Sequence, residues 1–161
     1  MKKAFLFLAL CLLGAGRAAA AEPVDSVRNV IYMIGDGMGL AHVSMLAVEG
    51  GYAPTAFDRA QGIALISTYS ANNRVTDSAA AGTALACGSK TNNGTLGLDP
   101  RGGRLQSVIE WAVAEGMPAG IAVKCHLQHA TPAAFYAHVP DLGDEKAITR
   151  DLLASNIDVL I

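Results

Sequence analysis

Asp77 and Ser78 head a run built almost wholly of Ala, Gly and Thr, in RVTDSAAAGTALACGSKT (74–91). Small side chains let a backbone approach another element or a ligand closely. A hydroxyl at a helix start also meets free N–H groups and the positive end of the macrodipole, which favour an alkoxide or a phosphoryl oxygen. Ser78 therefore has two readings: a nucleophile, or merely the first turn of a helix that Thr76 or Asp77 caps. No G-x-S-x-G elbow surrounds it, so activation by a histidine base is not supported. A metal ion, whose coordination deprotonates a hydroxyl near neutral pH, is the alternative activator.

A second candidate is Asp36 in IGDGMG (34–39), set between two glycines at the end of an apolar run. Its carboxylate could reach magnesium or zinc without crowding, or it could make an ordinary Asx turn. Gly35, Gly37 and Gly39 are spaced G-x-G-x-G, which is not the G-x-G-x-x-G of a dinucleotide loop. The third station is LQHATPAAFYAHV (127–139), where His129 and Thr131 place an imidazole and a hydroxyl close together. Of the four histidines, His42, His126, His129 and His138, the pair His126 and His129 is three apart with no H-E-x-x-H helix. That spacing suits surface or hydrogen-bonded imidazoles better than a zinc cluster.

These stations must be held by alternating elements. Apolar runs at 27–35, 62–70 and 118–127 read as strands, the first as one buried on both faces. Helical spacing is found at 40–51, 77–88, 104–116, within 131–139 and at 144–155, with Gly50, Gly88 and Gly116 as stops. Strand and helix in alternation imply an α/β fold, a mostly parallel central sheet with helices on both faces. In such a sheet ligands bind beyond the carboxyl ends of the strands, where Asp36, Ser78 and His129 all fall. NIDVLI (156–161) reads as a core strand just beginning, so the fold is expected to be incomplete at the C-terminus.

Lys2 and Lys3, the apolar run 4–16 and the small residues 17–21 have the pattern of a signal peptide cleaved near Ala21. The apolar stretch is too short for a permanent span. The expected organisation is a signal peptide over 1–21 and one domain over 22–161, exported to the periplasm or the exterior, with no membrane association after cleavage. Without Lys2, Lys3 and Arg17 the 12 basic side chains become 9, against 14 acidic ones. That balance argues against a nucleic-acid surface. Cys87 and Cys125 are then the two remaining cysteines; free, buried thiols are favoured over a bridge.

NVIYMIGDGMG, VTDSAAAGTALACGSKTNNGTLG and HATPAAFYAHV, in this order and spacing, closely resemble the amino-terminal part of the secreted alkaline phosphatases. The resemblance implies hydrolysis of phosphate monoesters through a phosphoserine on Ser78, with two zinc ions and a magnesium ion as cofactors. It implies that Asp36 is the carboxylate shared by magnesium and one zinc, that Ser78 is the nucleophile on that zinc, and that Thr131 is a magnesium ligand. His129 falls where family members carry Asp or His near the magnesium. A complete chain is expected to form a homodimer. The remaining zinc ligands of the family come from a part with no counterpart here, so the 161-residue chain by itself is expected to have little or no phosphatase activity. The family's phosphate-binding arginine, eleven residues after the threonine, is matched by Leu142. Either a guanidinium contact has been lost there, or the loop 140–146 is rebuilt with Leu142 packed inward. The alternatives in function are a phosphodiesterase or sulfatase of the same superfamily, and a non-catalytic remnant that binds metal or phosphate weakly.

Overall fold

The computed structural model describes residues 28–161; the signal-peptide reading of 1–21 lies outside them. The chain divides into two units between Ile34 and Gly35. In the first, the described residues form neither helix nor paired strand, and Val30, Ile31 and Met33 are exposed. The second unit runs from Gly35 to Ile161. Its helices are α1 (Leu40–Glu49), α2 (Ser78–Cys87), α3 (Val108–Ala114), α4 (Ala130–Ala133) and α5 (Glu145–Ala154). Strands β1 (Gly120–Ile121) and β2 (Val159–Leu160) pair in parallel, Gly120 opposite Val159 and Ile121 opposite Leu160.

The α/β class and the parallel pairing are as expected, but the sheet is small. The runs 27–35 and 62–70 were expected as sheet strands, the first buried on both faces, and the described parts of both lack a ladder partner. Ile63, Leu65 and Ile66 are exposed. A strand exists only through its neighbour's N–H and C=O groups, and apolar composition alone cannot supply one. The strand expected over 118–127 shortens to β1 for the same reason. The helix expected from 104 begins at Val108, because Arg104 pairs with Leu98 in an antiparallel bridge and Ser107 takes the cap. The Ser107 hydroxyl accepts from Glu110 N–H at 3.1 Å, while the Glu110 carboxylate accepts from Ser107 N–H at 2.9 Å. This reciprocal pair satisfies two orphan donors of the helix start.

The core lies between α2 and α4, and it explains the small residues of 79–86. Ala79, Ala80, Gly82, Thr83 and Ala86 are the buried face of α2. A Cβ on Gly82 would come within 2.9 Å of the Ala134 Cβ and 3.6 Å of the Thr131 backbone; the two segments approach too closely for any side chain there. Buried Thr83 accepts from Gly97 N–H at 3.0 Å. Gly97 has φ +59, and a Cβ on it would overlap the Ala137 carbonyl oxygen. That tight crossing lets Leu96 and Val139 exchange backbone hydrogen bonds at 2.9 and 3.0 Å. The expectation of buried thiols is corrected: both cysteines are free, but Cys87 is half-buried and Cys125 is exposed.

Candidate active site

Asp77, not Ser78, caps the helix. Its carboxylate accepts from Ala80 N–H at 2.8 Å, so Asp77 is the N-cap of α2 and Ser78 its first residue. With the capping role filled, the Ser78 hydroxyl faces elsewhere, toward Asp36 Oδ1 at 3.5 Å. The other oxygen of Asp36 accepts from the Thr131 hydroxyl at 2.9 Å. Residues 42 and 95 positions apart are thereby joined through one carboxylate. The Gly35–Met38 turn presents Asp36, closed by Met38 N–H donating to the Gly35 carbonyl at 2.9 Å with Gly37 at φ +73.

A cavity of about 450 Å³ opens beside this cluster, lined by Asp77, Ser78, Ala79, His126, Gln128, His129, Ala130, Leu142 and Glu145. His129 is the N-cap residue of α4 without a side-chain capping bond, and its exposed ring shares this wall with Ser78. The segment leading to His129 is held from below: the Tyr136 hydroxyl donates to the Leu127 carbonyl at 2.5 Å. Burial, and secondly the Asp151 charge, push the Tyr136 hydroxyl well above its ordinary range, so it stays a donor. The other two histidines lie elsewhere. His42 accepts from Gly39 N–H at 3.1 Å at the start of α1. The His138 side chain is buried, with Nε2 2.8 Å from the Leu105 carbonyl and 3.3 Å from the Glu110 carboxylate.

Leu142 lines the same cavity and is 37% exposed, so it is not packed inward as a core residue. Arg150, on α5, is an exposed helix charge. Sequence reading missed Gln128 and Glu145 as cavity walls, and it missed Gly94. Gly94 N–H donates to the Asp77 carboxylate at 2.6 Å, while its carbonyl accepts from Leu142 N–H at 2.8 Å. TNNG (91–94) signals a turn, but nothing local says which distant groups the turn will meet.

Comparison with known proteins gives the family. The alkaline phosphatase family model matches residues 27–154. The chain belongs to the alkaline phosphatase family. It is 42% identical over 130 residues to alkaline phosphatase 4 of Bacillus subtilis, covering 74% of this chain and 28% of the relative. It is 38% identical over 130 residues to alkaline phosphatase 4 of Drosophila melanogaster, covering 71% and 22%. Among solved structures, the alkaline phosphatase from the Antarctic bacterium TAB5 aligns at a TM-score of 0.77 with 34% identity, over 83% of this chain and 39% of that one. A His 135 Asp mutant of the TAB5 enzyme aligns equally well and has Mg bound in its M3 site. The alkaline phosphatase fold is therefore the fold of this chain, which spans about a quarter of the length of the curated relatives it matches.

Proposed function

We propose that residues 22–161 are the amino-terminal part of a catalytic domain that hydrolyses phosphate monoesters through a phosphoserine on Ser78, in an exported alkaline phosphatase whose signal peptide is 1–21. The observation that carries this reading is the joint placement of Ser78, Asp36 and Thr131. A serine at a helix start, not needed as the cap, points at a carboxylate that a second hydroxyl already orients.

Asp36 and the two hydroxyls are hard oxygen donors in reach of one another, a set that suits magnesium. Asp36 and Thr131 would hold it, with His129 close by on the cavity wall. Asp36 and Ser78 would be part of a zinc site. Among the described residues no group of three or more His, Cys, Asp or Glu side chains is placed to hold a metal ion, so the zinc set is not complete on them. When bound, the ions supply positive charge that favours the ionised hydroxyl and the developing charge on phosphorus oxygens.

The chain's own residues do the rest. Asp36 Oδ1, 3.5 Å from the Ser78 Oγ, is the acceptor toward which that hydroxyl is turned. The N–H groups of Ser78 and Ala79, ahead of the Ala80 and Ala81 amides that Asp77 takes, have no intrahelical acceptor and would face an entering phosphoryl oxygen. The Ser78 Oγ–P bond forms as the ester P–O bond breaks, and the alcohol leaves with a proton. Water then attacks phosphorus, phosphate departs, and the Ser78 hydroxyl is restored. Two in-line displacements give retention overall.

Trapping the complete gene product with labelled phosphate at acid pH, followed by peptide mapping, tests the assignment. Label on Ser78 is expected. Label on Thr76 or Thr83, or none, would refute it.

A further inference from the structure

We infer that Asn93 is a positioning residue: its side-chain amide braces the main chain at Val75 and Asp77 and thereby sets the place of the Ser78 hydroxyl. The inference rests on the reading of Ser78 as the nucleophile given above.

Val75, Thr76 and Asp77 lead into α2 outside any helix or ladder, with Asp77 extended at φ −103 and ψ 176. Asn93 partners this stretch as a neighbouring strand would. Its Oδ1 accepts from the Asp77 N–H at 3.3 Å, and its Nδ2 donates to the Val75 carbonyl at 3.0 Å. A carboxamide has one accepting and one donating end, and each end here meets its complement; the reverse orientation would set donor against donor and acceptor against acceptor. Asn93 is itself anchored, since its N–H donates to Asn72 Oδ1 at 2.9 Å. The neighbouring Ala71 N–H donates to the Thr91 carbonyl at 2.8 Å. The segments that precede and follow α2 are thus fastened to each other beside the residue where the helix begins.

Asp77 is gripped twice from this turn, through its main chain by Asn93 and through its carboxylate by the Gly94 N–H at 2.6 Å. The two grips act differently. The carboxylate bonds to Gly94 and Ala80 fix where the helix starts, whereas Asn93 fixes the extended chain that enters it. Rotation of that chain swings the Cα–Cβ bond of the next residue, Ser78, whose Oγ meets Asp36 Oδ1 at 3.5 Å across 42 positions of sequence. Asn93 is not among the described residues that line the cavity, so it acts on substrate through Ser78. Misplacing a reacting atom by about 1 Å costs on the order of 100-fold in rate.

The test uses the complete gene product supplied with zinc and magnesium, as the parent, Asn93→Ala, Ser107→Ala and Ser78→Ala, assayed on nitrophenyl phosphate below every Tm. Asn93→Ala should lower kcat roughly 10- to 100-fold and leave KM within about 3-fold of the parent, as expected when an interaction of the transition state is lost. Hydrogen exchange at the Asp77 amide should quicken, a readout that needs no chemical step. Ser107→Ala removes the α3 cap and a bond to the Phe135 carbonyl at 2.6 Å; it controls for lost stability, and its Tm should fall with kcat unchanged. Should Asn93→Ala fail to fold, Asn72→Ala carries the same test one bond further out, with a smaller loss of kcat. Unchanged kcat in the asparagine variants, a loss equal to that in Ser107→Ala, or an Asp77 amide as protected as in the parent would overturn the inference alone. Turnover that survives Ser78→Ala, or none in the parent, would overturn the reading of the reaction and the inference with it.

Discussion

Replacing Asp77 with alanine should loosen the helix that begins at Ser78. Its carboxylate accepts from Ala80 N–H at 2.8 Å within α2 and from Gly94 N–H at 2.6 Å in the loop that follows. Losing an N-cap costs ~1 kcal/mol. A hydrogen bond to an ionised acceptor adds ~1.5–3 kcal/mol, of which the lower part applies because Asp77 is only half-buried and solvent screens it. A combined loss of about 2–3 kcal/mol corresponds to a fall in Tm of roughly 4–12 °C at ~2–4 °C per kcal/mol for a chain of this size. Asp77→Asn keeps one acceptor oxygen and should fall between the parent and the alanine variant. Thermal unfolding followed by circular dichroism measures the shift, and hydrogen exchange at the Ala80 and Gly94 amides shows where it originates. In the complete enzyme kcat should drop more than KM rises, since the variant disturbs the position of the Ser78 Oγ rather than the width of the cavity. A Tm within ~1 °C of the parent, with the Gly94 amide still protected, would refute the reasoning.

Three further outcomes are expected. Gly82→Ala should destabilise the protein although alanine is the better helix former by ~1 kcal/mol, because its Cβ would stand 2.9 Å from that of Ala134; recovery of Tm in the double variant with Ala134→Gly checks the cause. Burial, and then the Glu110 charge, push the Cys87 thiol up to about 11. At mildly alkaline pH iodoacetamide should therefore alkylate exposed Cys125 and spare Cys87, and equal labelling by mass spectrometry would refute this. The 161-residue chain by itself, given zinc and magnesium, should show little turnover of an aryl phosphate, since a catalytic zinc typically takes three protein ligands; ordinary turnover lost in Ser78→Ala would contradict that.

Helix α2 was legible from the sequence nearly to the residue, because what bounds it is local. Asp77 caps it through a bond three residues away, and Gly88 ends it at φ +67. The same holds for α5, capped by Asp144 on Ala147 N–H, and for α1 with Gly50 as its end. The family too was legible, since its motifs are contiguous strings. The apolar runs at 27–35 and 62–70 had the composition of strands, but pairing depends on partners that composition does not name.

The site shows the same division. Asp36, Ser78 and Thr131 could each be singled out by residue type and neighbours, and each retained a bland reading as a turn, a cap or a surface hydroxyl. Only the fold brings them together, because the hydrogen bonds that join the three span 42 and 95 residues. Leu142 could be matched to a position by counting along the chain, yet that it lines the cavity rather than packing inward shows only in the fold, where its N–H donates to the Gly94 carbonyl, a group without a side chain to read. What the sequence determined alone rests on interactions within a turn or two of helix. What the tertiary structure decided rests on contacts between distant segments, which form only when burial of α2 against α4 repays the entropy of bringing them together.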